Sequence, residues 1–70
     1  MKYEERITKV IVLPEGEEIF SEHSTFIEIV DESGGEFLEV SQLDMKFRIN
    51  PEEWKFIKHA IDKMIKQCRS

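Results

Sequence analysis

A strand-like segment runs into a helix start with almost no linker in the stretch RINPEEWKFIKHAID, residues 48–62. Asn50 is a favoured N-cap residue, because its side-chain oxygen can accept a hydrogen bond from an otherwise unpaired backbone N–H. Pro51 suits the first helical position, which needs no N–H partner. Glu53 stands three residues past the cap, where a capping-box partner is expected. These signals predict a helix over about residues 51–67.

The predicted helix is amphipathic, because its apolar side chains recur at the spacing of one helical face. These side chains are Trp54, Ile57, Ile61, Met64, Ile65 and Cys68. A helix with one apolar stripe must bury it against another element. We therefore expect the helix to pack on a single face of a sheet, with Cys68 as a small buried hydrophobe near its end.

The chain before the helix contains short segments rich in β-branched and aromatic residues, separated by turn residues. Strands are predicted over about residues 6–13, 25–31, 36–42 and 45–49. Residues 14–16, 33–35 and 43–44 supply the turns. Residues 17–24 fit either a short edge strand or a loop. The expected fold is a single α+β domain, residues 1–70, with a small antiparallel sheet of three to four strands followed by one amphipathic helix (ββββα).

Side chains alternate along a strand, so each predicted strand contributes to two faces of the sheet. One set is nearly all apolar and is expected to face the helix: Ile7, Ile11, Leu13, Ile27, Ile29, Leu38, Val40, Phe47 and Ile49. The other set is mixed: Arg6, Thr8, Val10, Val12, Phe26, Glu28, Val30, Phe37, Glu39, Ser41, Lys46 and Arg48. Apolar residues on an uncovered face indicate a partner.

Three interpretations of the mixed face stay open. A homodimer would bury it, and the size of the chain favours one, because 70 residues form only a marginal core by themselves. Single-stranded nucleic acid would stack on Phe26 and Phe37, with Arg6, Lys46 and Arg48 as the surrounding cations. A basic partner protein would instead dock on acidic side chains. Those acidic residues are Asp31, Glu32 and Glu36 in one predicted hairpin and Glu15, Glu17, Glu18 and Glu22 in the segment before strand two.

The charge of the chain is unevenly distributed. The formal net charge is −5. Residues 51–70 hold five basic and three acidic side chains, a balance of +2, so residues 1–50 carry −7. This acidity opposes non-specific binding to nucleic acid, whose phosphates demand positive charge. It is compatible with one locally basic face.

The strand-to-helix joint resembles the end of the positive cofactor 4 (PC4) family of single-stranded-DNA-binding transcriptional coactivators. There a final strand runs through an Asn-Pro-Glu-x-Trp signature into one amphipathic helix. The matching residues are Ile49, Asn50, Pro51, Glu52 and Trp54. The resemblance covers roughly the last third of the chain, and it implies a dimeric ββββα protein that binds single strands with its sheet surface. The family's Lys-rich strand segments have no clear counterpart here. The chain as a whole also looks like small accessory proteins encoded by bacteriophages.

No catalytic or metal-binding constellation is recognisable in the sequence. His59 and Asp62 lie three residues apart, but two ligands are too few for a structural zinc site. We therefore expect a non-enzymatic binding module without metal or cofactor. Cys68 is the single cysteine, which is typical of a reduced, cytoplasmic protein. No apolar run approaches the roughly 18–20 residues that span a bilayer, so no membrane partner is expected.

Overall fold

The computed structural model describes residues 1–69, which form four β-strands followed by one α-helix. The elements are β1 (Lys9–Val12), β2 (Thr25–Glu32), β3 (Gly35–Gln42), β4 (Met45–Ile49) and α1 (Trp54–Gln67). The strands pair antiparallel in the order β1-β2-β3-β4. The α+β arrangement expected from the sequence, a four-stranded antiparallel sheet followed by one C-terminal helix, is therefore confirmed.

The strand boundaries follow the sequence pattern, except in the first strand. β4 matches the predicted range, and β2 and β3 each extend the prediction by one residue. β1 is shorter than predicted, although the Thr8 carbonyl still accepts a hydrogen bond from the Ile29 N–H at 2.8 Å. Residues 17–24, for which two readings were open, form turns and bends. The connection between β1 and β2 is therefore a loop and not an edge strand.

The two tight connections of the sheet need left-handed backbone. Gly35, after β2, has a φ of 116°, and Leu43, between β3 and β4, has a φ of 50°. Glycine adopts positive φ without a steric cost. Leucine does not, because its Cβ approaches the following carbonyl oxygen. The β3–β4 turn therefore holds a locally unfavourable residue, kept in place by the pairing of the strands on either side.

The helix begins three residues later than the sequence predicts. The Asn50 side-chain oxygen accepts a hydrogen bond from the Glu52 N–H at 3.0 Å, and the Asn50 carbonyl accepts one from the Glu53 N–H at 2.8 Å. Residues 51–53 form a turn, and Trp54 is the first helical residue. Asn50 thus caps this turn and not the helix, so its predicted role as helix N-cap is wrong, as is that of Pro51 as first helical residue. The helix N-cap is Glu53, and it makes no side-chain capping bond.

The expected packing of α1 on its own sheet is wrong. No side chain within Trp54–Gln67 is buried, and the helix makes no extensive contact with a strand. Cys68, expected to be buried, is exposed. After the turn at residues 51–53 the helix does not pack along the sheet, and the radius of gyration is 15.0 Å. A compact chain of this length has about 11 Å.

The single chain consequently buries very little apolar surface. Ile49, 3% exposed, is the one buried hydrophobic side chain among residues 1–69, and Ser24 is the one buried polar residue. Ile57 is half-buried, and Trp54 lines a groove beside Ile49. Only the first turns of the helix therefore approach the sheet. No helix in the described part of the chain is long and apolar enough to cross a membrane.

Candidate binding faces of the sheet

The strand register assigns the side chains to two faces, because directly paired residues of neighbouring strands point to the same side. We call one side the apolar face. Its apolar core consists of Val10, Val12, Ile27, Ile29, Leu38, Val40, Phe47 and Ile49, and the register also places Thr25, Asp31, Glu36, Gln42 and Met45 on this side. The opposite side, the polar face, consists of Lys9, Ile11, Phe26, Glu28, Val30, Glu32, Phe37, Glu39, Ser41, Lys46 and Arg48.

The sequence-based division of the faces is correct in β2, β3 and β4 but inverted in β1. Val10 pairs with Ile27 and so lies on the apolar face, whereas Ile11 pairs with Phe26 on the polar face. Residues 10–12 are all β-branched and apolar, so no polar residue among them marks the solvent side. The loop that joins β1 to β2 instead sets the register of the two strands, and with it the face on which each side chain of β1 lies.

Arg6 is separated from the other predicted site residues. Its Nη1 donates to Glu36 Oε2 at 3.0 Å and its Nη2 donates to Glu36 Oε1 at 3.2 Å. This contact lowers the pKa of Glu36 through the hydrogen bond and the charge of the guanidinium. Glu36 is the cross-strand partner of Asp31, which places it on the side of the apolar face. The structure therefore brings Phe26, Phe37, Lys46 and Arg48 onto one face without Arg6. These four are the remaining residues of the predicted site.

Two lysines of the polar face lie against carboxylates. Lys9 Nζ is 3.6 Å from Glu28 Oε2, and Lys46 Nζ is 3.5 Å from Glu39 Oε1. Glu28 and Glu39 are directly opposite each other on β2 and β3. Like charges in such a pair are destabilising, so the flanking lysines offset their repulsion. The predicted cation Lys46 is thus engaged within the sheet itself.

Arg48 bridges two carboxylates of the same face. Its Nε donates to Glu39 Oε2 at 3.2 Å, and its Nη1 donates to Glu32 Oε1. The hydrogen bond to Glu32, followed by the charge of that carboxylate, raises the pKa of Arg48. The guanidinium is charged at every working pH. The contacts therefore matter because they occupy N–H donors of Arg48 that a ligand would otherwise use. A phosphate would have to replace a carboxylate, and exposed ion pairs are weak enough to exchange.

An aromatic stack lies beside the lysines. The rings of Phe20 and Phe26 have centroids 5.8 Å apart and planes inclined by 24°. Lys9 Nζ lies 5.2 Å from the centroid of the Phe26 ring, and Lys46 lines the same shallow groove. Phe20 is 86% exposed, so its outer face is open to another planar group. We call this arrangement the Phe20–Phe26 stack.

Sequence reasoning missed Phe20, which lies in the loop before β2. The only signal was a large aromatic residue in a segment of mostly polar side chains. Phe37, which was predicted to act together with Phe26, lies four residues further along the paired strands, opposite Val30. That separation is about 13 Å at the rise of a strand. The two predicted rings therefore share a face without contacting each other, and the ring that stacks on Phe26 is Phe20.

The loop before β2 is held by a cluster of polar side chains. His23 Nδ1 is 3.0 Å from Glu17 Oε2, and Ser21 Oγ donates to the same oxygen at 2.9 Å. The bond to Glu17 raises the pKa of His23, and the bonds from His23 and Ser21 lower the pKa of Glu17. Ser21 Oγ also contacts Ser24 Oγ at 3.2 Å. The His23 backbone N–H donates to Ser21 Oγ at 3.2 Å, while the His23 ring contacts Glu17. The cluster therefore orders the loop that carries Phe20.

Comparisons with known proteins give no relative of this chain. No protein-family model matches it, and no curated protein or solved structure matches it at a significant level. Within residues 1–69, no three His, Cys, Asp or Glu side chains are grouped so that they could hold a metal ion. The function must therefore be inferred from the chemistry of the two faces of the sheet.

Proposed function

We propose that the protein is a non-enzymatic binding module that works as a homodimer and binds single-stranded nucleic acid on its polar face. The Phe20–Phe26 stack carries this proposal, because the exposed Phe20 ring stacks on Phe26, Lys9 lies over the Phe26 ring, and Lys46 lines the same groove. Aromatic rings beside cations are the usual chemistry of single-strand binding, since every base offers a flat face and every nucleotide a phosphate. The resemblance of the strand-to-helix joint to the positive cofactor 4 family supports the same class of ligand.

The carboxylates of the polar face limit the affinity of such binding. Glu28 and Glu39 stand between the cations, and each lysine or arginine of the face already contacts one of its carboxylates. Binding of a strand therefore exchanges weak internal ion pairs for contacts to phosphate. We expect moderate affinity that falls as the salt concentration rises, with stacking as the larger contribution.

The test is fluorescence anisotropy with a labelled single-stranded oligonucleotide of about 20 nucleotides, long enough for one or more binding sites, at low and near-physiological salt. Phe20→Ala should weaken binding about fivefold to 150-fold, since one base–aromatic stack contributes about 1–3 kcal/mol. Phe56→Ala is the matched control, because Phe56 is also well exposed (69%) but lies on the helix. Lys46→Glu and Arg48→Glu should abolish binding at the higher salt.

Either of two results would contradict the nucleic-acid proposal. One is the absence of saturable binding at both salt concentrations. The other is an equal effect of Phe20→Ala and Phe56→Ala, because binding would then not depend on the exposed ring beside the sheet.

The second candidate function is an interaction or inhibitor module that docks on a basic partner protein. The balance of −7 over residues 1–50 favours it, since charge complementarity steers association. Reversal of Glu15, Glu18 and Glu22 to lysine should then abolish capture of the partner in a pull-down. The same reversals should leave oligonucleotide binding intact or strengthen it, which separates the two functions.

We also infer that the protein works in the cytoplasm. Cys68, the only cysteine of the sequence, is exposed and has no second cysteine in the chain with which to form a disulfide. An unpaired thiol of this kind is typical of a reducing compartment.

A further inference from the structure

We propose that two copies of the chain associate by exchanging helices, so that α1 of each copy packs on the apolar face of the other. This arrangement rests on the homodimer of the proposed function and specifies its interface. It does not depend on the ligand of the polar face, which lies on the opposite side of the sheet. The interface expected from the sequence included Phe26 and Phe37, and the exchange places it on the other face.

The uncovered surface of the chain is large enough for such an interface. The chain exposes 6828 Å², whereas a compact monomer of 8.3 kDa exposes about 4,600 Å². The excess is about 2,200 Å² per copy. A standard interface buries about 800 Å² per partner, and obligate dimers bury about 2,000–5,000 Å² in total. Two copies that cover half of this excess already meet the requirement of a stable dimer.

The distal part of α1 offers one half of the interface. Ile61, Met64 and Ile65 lie on one side of the helix and are 42%, 66% and 62% exposed. The first turn is different, because Trp54 lines a groove with Ile49 of its own sheet. The apolar stripe therefore begins beside the chain's own sheet at Trp54. Its distal part, from Ile61 to Ile65, is not covered by that sheet.

The apolar face of the sheet offers the other half. Val10, Val12 and Phe47 are each at least half exposed, and they lie on the same side as Ile27 and Val40. The distal stripe of α1 from Ile61 to Ile65 is about 6 Å long at 1.5 Å per residue. Neighbouring strands are about 4.8 Å apart. The distal stripe is thus long enough to cover two neighbouring strands of the sheet.

Charge selects the helix of a second copy over the other possible pairings of these surfaces. Residues 51–70 carry +2 and residues 1–50 carry −7. Face-to-face packing of two sheets would bring two strongly negative units together, and packing of two helices would bring two positive ones together. Helix on sheet joins opposite charges. A two-fold axis closes the exchange, since each copy then gives one helix and receives one.

The experiment is sedimentation velocity on the whole chain and on four charge variants. The wild type should sediment as a dimer, at twice the 8.3 kDa chain mass. Ile61→Glu on the helix and Phe47→Glu on the apolar face should each weaken the dimer at least about 30-fold, the effect of losing one hot spot of about 2 kcal/mol. His59→Glu on the polar side of α1 and Phe20→Glu beside the polar face are the matched controls, and both should remain dimeric.

Mixing the two disruptive variants distinguishes exchange from other modes of association. Ile61→Glu keeps an intact sheet face and Phe47→Glu keeps an intact helix, so a 1:1 mixture contains one complete helix-on-sheet contact. The mixture should form dimers at concentrations where each variant alone is monomeric. Met64→Glu serves in place of Ile61→Glu, and circular dichroism confirms that each variant is folded before it is mixed.

Three results would overturn the exchange. They are a monomeric wild type, a dimer that survives Ile61→Glu, and the failure of the mixture to associate although both variants are folded. A monomeric wild type would mean that no second copy covers the helix or the apolar face, and the homodimer would be wrong as well. Oligonucleotide anisotropy on the same samples tests the nucleic-acid function independently of the helix exchange. Binding by a monomer retains the nucleic-acid function, and a dimer without binding retains the exchange.

Discussion

Replacement of Ile49 by alanine tests whether this side chain is the centre of the chain's own core. Ile49 is 3% exposed and pairs with Leu38 across β3 and β4. Truncation of a buried isoleucine to alanine costs about 2–5 kcal/mol. The groove of about 270 Å³ beside it, lined by Pro51 and Trp54, is open, so water can enter the space left behind. We therefore expect the lower part of the range, about 2–3 kcal/mol. A chain of this length has about 4–10 kcal/mol in total.

The measurement is urea unfolding at one fixed protein concentration, since association would raise the midpoint with concentration. Fluorescence of Trp54, the only tryptophan, reports on the site, and circular dichroism reports on the whole chain. Ile7→Ala is the control, because it removes the same atoms from a side chain that is 82% exposed. We expect it to change the free energy of unfolding by less than about 0.5 kcal/mol.

Equal effects of the two substitutions would refute this reasoning. Ile49 would then contribute no more than an exposed side chain, and the stability of the chain would not come from packing between the end of β4 and the start of α1. A separate Ile49→Val variant, expected to cost about 0.5–1.5 kcal/mol, shows whether the effect scales with the volume removed.

Three further predictions concern the turn, the loop and the polar face. Leu43→Gly should raise the thermal midpoint by a few degrees, because relief of about 1–2 kcal/mol of left-handed strain exceeds the glycine cost of about 0.5–1 kcal/mol; a lower midpoint would contradict it. The pKa of His23 is raised from 6.5 and that of Glu17 is lowered from 4.5. Their pairing therefore stabilises the fold fully between pH 4.5 and 6.5. The stabilisation is lost as the pH rises through the folded-state pKa of His23, and also as it falls through that of Glu17. His23→Gln should flatten the decline of stability as the pH rises above 6.5, and an unchanged slope would exclude this pair as its source. Glu39→Gln should tighten oligonucleotide binding in anisotropy about fivefold, the effect of about 1 kcal/mol for one nearby charge. Unchanged binding would place the phosphates away from this carboxylate.

The fold was predictable from the sequence where local chemistry dictates local structure. β4 and the turn at Asn50 follow from alternation and capping, which act within a few residues. The phase of β1 was not predictable, because Val10, Ile11 and Val12 are equally apolar and a loop of twelve residues sets their register with β2. The docking of α1 was not predictable either. An apolar stripe shows that the helix needs a partner surface, but not whether that surface belongs to the same molecule.

The candidate site shows the same division between local and non-local information. Phe26, Lys46 and Arg48 share a face because their strands alternate regularly, and this much follows from periodicity. The partners of these side chains depend on cross-strand register, which brings Glu39 between the two cations. Phe20 comes from an irregular loop, where no period predicts which way a ring points. The sequence therefore identified Phe26, Phe37, Lys46 and Arg48 on this face, but it missed Lys9, Phe20 and the pairing of these side chains.

The order of the strands has a consequence for how the molecule forms. Each strand pairs only with its neighbours along the chain, so the sheet can grow hairpin by hairpin, and two of its three connections are tight turns. Structures built from such local pairings fold fast, because little chain entropy is lost before the first contacts form. The sheet of each chain can therefore form before any second molecule is met. Burial of the distal helix by another copy would be a second-order step, so refolding should separate into an early phase independent of protein concentration and a later phase whose rate increases with it.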